Sequence, residues 1–158
     1  MPDVPSKPSS KAAKPRSKAT KSSPKAAPAS PKATFSPGLT GSVSLDVGES
    51  DTAEAFGSGD VPVLGTPRIV GLCEQAAMVA LGPAVSPDQT TVGMRVQIDH
   101  LAPTKVGGVV TAEATLEKVE GRRLTFTVKV CDRASLVAAG RVTRVVVERE
   151  RFLEKATG

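Results

Sequence analysis

A chain of 158 residues with formal charge +5 has room for one domain of ordinary size and an extension. Its two cysteines are too few for a disulfide framework and lack metal-ligand spacing, and no apolar run approaches membrane-spanning length. Four Phe, with no Trp or Tyr, leave little with which to stack on nucleic-acid bases, so a cytoplasmic protein with no metal site and no membrane contact is expected.

The positive charge is not shared evenly. Residues 1–33 hold eight basic residues against Asp3, a net charge of +7, which leaves −2 for residues 34–158. That segment is Lys, Ala, Pro and Ser with almost nothing to bury, so a disordered basic tail is expected, followed by one folded domain over 34–158. Its composition resembles linker-histone tails. Weak, nonspecific binding of DNA or another polyanion stands beside a plain solubilising role.

From Leu39 to Val47 apolar and polar residues alternate as in a half-buried strand. Gly48 to Leu64 has no such pattern beyond a turn of helix near Ala53 and a short extended piece at Val61–Leu64, and an interval of this length reads as a lid or binding loop. It leads into one long helix, with Thr66 as N-cap, Pro67 at the first helical position, and Gly82-Pro83 as the stop. Ile69, Val70, Leu72, Cys73, Ala76, Ala77, Val79, Ala80 and Leu81 predict a helix buried on most sides. Glu74 interrupts that apolar surface, and a carboxylate there must be paired, face an aqueous cleft, or lose its charge.

Beyond a turn at Ser86-Pro87-Asp88, the remaining chain reads as strands. Simple alternation puts Val92, Met94, Val96, Ile98 and His100 on one face, with Gly93 and Arg95 on the other. A strand at Val110–Glu117, a hairpin turn at Glu120-Gly121-Arg122 and a strand at Leu124–Val130 follow. The last strand is expected from Leu136 to about Phe152, bending near Gly140. One helix crossing the inner face of a curled antiparallel sheet is an α+β layout, and it matches the hotdog fold.

Several residues carry a closer likeness. Gly65-Thr66, Val70-Gly71-Leu72 with Glu74, Gly93 seven residues before His100, Val119 to Leu124, and Arg144 ahead of Glu150-Arg151-Phe152 resemble the fluoroacetyl-CoA thioesterase family of hotdog proteins. The resemblance implies hydrolysis of an acyl-CoA thioester by Thr66, Glu74 and His100, with Gly93 and Arg144 in the substrate site. It implies no cofactor beyond the CoA of the substrate. The fluoroacetyl enzyme carries a phenylalanine on its lid, whereas the corresponding interval here reads Phe56-Gly57-Ser58-Gly59-Asp60, which argues against fluoroacetyl specificity; the leading reading is hydrolysis of a short or medium acyl-CoA thioester.

Thr66 and Glu74 are eight residues apart, about 12 Å along a helix, so they cannot touch. The site is then expected either to be spanned by the thioester or to be shared across a homodimer, and hotdog sites favour sharing. His100 is the single histidine. Cys73 adjoins Glu74 but points elsewhere around the helix, as a small core residue would. Arg122 and Arg123 fall in a hairpin turn, solvated or within reach of a CoA phosphate. The rival reading is a noncatalytic acyl-CoA-binding module with a polyanion-binding tail; the Thr66, Glu74 and His100 set weighs against it.

Overall fold

A computed structural model describes residues 34–158, so the expected disordered tail lies outside the described residues. The elements run β1 (Thr40–Asp46), α1 (Thr66–Leu81), β2 (Gln89–His100), β3 (Val109–Glu120), β4 (Arg123–Cys131), β5 (Leu136–Glu148) and α2 (Arg149–Thr157), with short 3-10 turns at Glu49–Asp51 and Gly82–Ala84. The strands form one antiparallel sheet in the order β1-β3-β4-β5-β2, curled around α1. This is the hotdog arrangement.

The alternation expected of the central strands holds. Val110, Ala112, Ala114 and Leu116 of β3 and Leu124, Phe126, Val128 and Val130 of β4 are all buried beneath α1, while the residues between them face outward. Small residues let the helix lie close. A Cβ at Gly41 would collide with the backbone of Ala76 and Ala80, so β1 and α1 meet backbone to backbone there.

The helix departs from expectation at its start and on one flank. Gly65, in extended conformation, is the N-cap, and Thr66 is already helical with Pro67 behind it. Ile69, Leu72, Cys73, Ala76, Ala77, Ala80 and Leu81 are buried, but Met78 and Val79 are more than half exposed. One sheet covers only one side of a helix, and the side carrying Pro67, Gly71, Glu74 and Met78 is not fully covered by the described residues.

A β-bulge between Gly93 and Arg95 changes the reading of β2. The ladder to β5 pairs Gly93 with Arg144 and Arg95 with Thr143, so Met94 is an extra residue. Inserting one residue reverses the alternation. Before the bulge Thr91 and Gly93 face the helix, and after it Val96, Ile98 and His100 do, while Met94 is exposed. Gly93 and His100, seven residues apart, therefore share a face that simple alternation denies them.

The last strand is shorter than expected. Its pairing with β2 and β4 runs through Gly140 without a shift of register, and it stops at Glu148, where α2 begins. The β-branched run ends at Val147, and Arg-Glu-Arg-Phe-Leu-Glu-Lys-Ala is a sequence of helix formers. The interval after β1 is also tied down. Ala53 N–H donates to Val63 O at 2.8 Å, Leu64 N–H to Thr104 O at 2.8 Å, and Gly65 N–H to Asp51 O at 2.9 Å. No helix among the described residues is long and apolar enough to cross a membrane.

Candidate active site

Two groups of polar side chains meet on the helix face of the sheet. The first stands at the start of α1. Thr66 Oγ1 lies 3.0 Å from His100 Nδ1, and His100 Nε2 lies 3.1 Å from the carbonyl oxygen of Ala102. A carbonyl only accepts, so Nε2 carries the proton in this arrangement; in the neutral ring Nδ1 is then bare and accepts the Thr66 hydroxyl proton. The bulge in β2 is what turns His100 toward Thr66.

The amide groups of Arg68 and Ile69, in the same first turn as the Thr66 hydroxyl, are not open to a ligand. Both donate to Gly65 O, at 3.0 and 3.2 Å. Pro67 has no N–H, which leaves the amide of Thr66 itself as the open donor of the first turn.

The second group lies two turns further along. Arg144 Nη1 donates to Glu74 Oε1 at 2.8 Å, and its other nitrogens donate to Thr91 Oγ1 at 3.0 Å and Thr91 O at 2.8 Å. Arg144 is 4 % exposed. Burial pushes its guanidinium down from its ordinary value, against the pull of the Glu74 carboxylate. The side chain of Glu74 is 31 % exposed, so the carboxylate is oriented from behind and open in front. Of the three fates open to an acid on an apolar helix, Glu74 has two: it is paired, and it faces outward.

Gly93 completes this group. A Cβ there would fall on Glu74 Oε1, so only glycine leaves room for the carboxylate where Arg144 holds it. Burial first, and then the neighbouring Glu74 carboxylate, push the Cys73 thiol up to about 12, which leaves it a core residue with no thiolate chemistry.

All five residues singled out in the sequence thus reach one face, but as two clusters: Thr66 with His100, and Glu74 with Arg144 and Gly93. Two partners were not legible in the sequence. Thr91 supplies two of the three acceptors that hold Arg144, and Asp51 binds Arg68 Nε at 2.7 Å, tying the loop before α1 to its first turn. Both depend on cross-element register, for which neither residue's neighbours give a signal. In Asp51, burial raises the carboxyl but is outweighed by bonds from Gly48 N–H and Arg68, and the net direction is down.

The family described as fluoroacetyl-CoA-specific thioesterase matches residues 47–150. The fluoroacetyl-CoA thioesterase of Streptantibioticus cattleyicolor is 36% identical over 93 residues, covering 59% of this chain and 67% of that protein. Among solved structures, a variant fluoroacetyl-CoA thioesterase in complex with acetyl-CoA superposes with a TM-score of 0.73 at 27% identity, over 78% of this chain and 97% of the other. A hot-dog-like protein from Thermanaerovibrio acidaminovorans gives 0.71 at 27% identity, over 77% and 90%.

Proposed function

The chain belongs to the fluoroacetyl-CoA-specific thioesterase family, whose members are thioester hydrolases, and from that premise we propose that it cleaves a short or medium acyl-CoA to the free acid and CoA. The observation that carries the assignment of roles is the Thr66–His100 hydrogen bond, with Nε2 engaged by Ala102. It aims a ring nitrogen at the Thr66 hydroxyl, and in this reading the thioester carbonyl docks against that hydroxyl. When substrate binds, the Thr66 hydroxyl turns its one proton from Nδ1 to the carbonyl oxygen, which it orients or stabilises, and Nδ1 of His100 is then free to take and return a proton. Glu74 either activates a water that adds to the carbonyl carbon, or attacks that carbon itself to give an acyl-glutamyl anhydride that water then cleaves; in either course the C–S bond breaks and the departing sulfur is protonated. Arg144 and Gly93 fix the carboxylate. No cofactor enters this scheme, because CoA is part of the substrate.

The spacing of the clusters supports a shared site. Eight helical residues separate Thr66 from Glu74 by about 12 Å, too far for both to act on one carbonyl carbon. Strand β2 lies at an edge of the sheet, and the open flank of α1 runs beside it. Pairing two chains through β2 in antiparallel fashion brings the His100 end of one strand to the Gly93 half of the other. The functional unit is then a homodimer in which Thr66 and His100 of one protomer face Glu74 of its partner.

Release of free CoA across an acyl-CoA panel tests the activity, and hybrid dimers test the sharing. Glu74→Gln and Thr66→Ala should each lower turnover by about 100-fold or more. Mixing the two inactive proteins should restore activity, because one of the two sites in a hybrid is intact. A folded protein that binds acyl-CoA but releases no CoA from any member of the panel would favour a binding module instead.

A further inference from the structure

Resting on the acyl-CoA reading, we propose that the C-terminal helix and the β3–β4 hairpin form the subsite for the phosphorylated adenosine end of CoA. A cavity of about 200 Å³ lies at the end of β5, lined by Arg122, Val147, Glu148, Arg151, Phe152 and Lys155. Arg122 comes from the hairpin turn, and Arg151, Phe152 and Lys155 come from α2. Three cations thus converge on one hollow from two elements.

None of the three is in an ion pair among the described residues. The one acid on the wall, Glu148, accepts a hydrogen bond from Gln89 Nε2 at 2.8 Å. Arg151 and Lys155 stand four residues apart on α2, the spacing at which like charges repel. Lys155 suits the last turn of a helix, but Arg151, a turn earlier, and Arg122, on another element, gain nothing from the helix dipole. An anion among them removes the conflict, and guanidinium groups match phosphate oxygens in pairs.

The fourth feature selects among anions. Phe152 is 41 % exposed on the same wall, an aromatic face beside a phosphate-binding set. A base attached to phosphates uses both. Reach agrees as well. Val147 and Glu148 lie three and four residues beyond Arg144 on β5, about 10–13 Å along the strand. The pantetheine arm has about as many chain bonds as four residues and extends about 14 Å. It links a thioester beside Glu74 and Arg144 to a nucleotide at the strand's end.

The test is the double variant R122A/R151A, with folding checked by circular dichroism, assayed on three thioesters of the acyl group that the wild type prefers. On acyl-CoA its KM should rise by about tenfold or more with kcat within about twofold, the loss expected for two charged hydrogen-bonding groups. The wild type's preference for acyl-CoA over acyl-dephospho-CoA should disappear, and acyl-pantetheine should be cleaved equally by both proteins. An unchanged KM for acyl-CoA, or an equal loss on acyl-pantetheine, overturns the subsite. Calorimetric titration of free CoA separates this inference from the hydrolase reading. A wild type that cleaves nothing but binds CoA at least tenfold tighter than the variant retains the subsite and refutes hydrolysis. Equal binding by the two proteins overturns the subsite whatever the activity.

Discussion

Gly93 shows how little separates an oriented carboxylate from a misplaced one. The atom that a methyl group at this position would strike is the tip of a flexible side chain, not backbone. Gly93→Ala should therefore leave the fold within about 1 kcal/mol of the parent and spend its effect on chemistry, by pushing Glu74 off Arg144. A displacement of about 1 Å at a reacting group costs on the order of 100-fold in rate, so turnover should fall by about that factor. Paired urea melts and CoA-release assays check both halves. At this scale the sequence was informative where a residue clashed with its surroundings. Glu74 on an apolar helix and the solitary His100 stood out, while Arg144 entered through the family resemblance. Thr91 did not, because its role arises from facing Arg144 across two strands and threonine is ordinary in a strand.

Regular periods were legible at the level of elements, and irregularities were not. The helix and the β3–β4 hairpin follow from spacing, whereas the bulge at Met94 reverses parity with no change of composition, and α2 begins where a β-branched run gives way to charged helix formers. The loop before α1 looked unpatterned because its order comes from single bonds rather than a repeat. Its Asp51–Arg68 pair gives a pH test. The carboxyl titrates below its unfolded value, so the pair stabilises fully above about pH 3.9 and that contribution is lost as pH falls through the folded value. Asp51→Asn should cost about 1–2 kcal/mol at neutral pH, and the gap to wild type should narrow as pH falls below about 3.9. Denaturant midpoints at pH 7 and pH 3 measure it.

For the molecule as a whole, the positive charge is concentrated in residues 1–33, away in sequence from the candidate site. Residues 1–33 carry +7 and the domain −2, so polyanion affinity is expected to reside in the tail and hydrolysis in the domain. A protein starting at Ala33 should keep thioesterase activity and lose DNA binding, and the binding of the full chain should weaken steeply with salt. Titrations at low and physiological salt check this; DNA binding that survives truncation would move the affinity to the domain. The distance between Thr66 and Glu74 reaches further still. If each thioester is gripped by two chains, mass action links substrate to assembly: specific activity becomes a function of enzyme concentration, and a bound ligand holds the protomers together. Serial dilution should reveal a concentration below which activity per mole collapses. A saturating, nonhydrolysable acyl-CoA analogue, added before dilution and then removed, should delay that collapse, so that each occupied site acts as a clamp on its own quaternary structure.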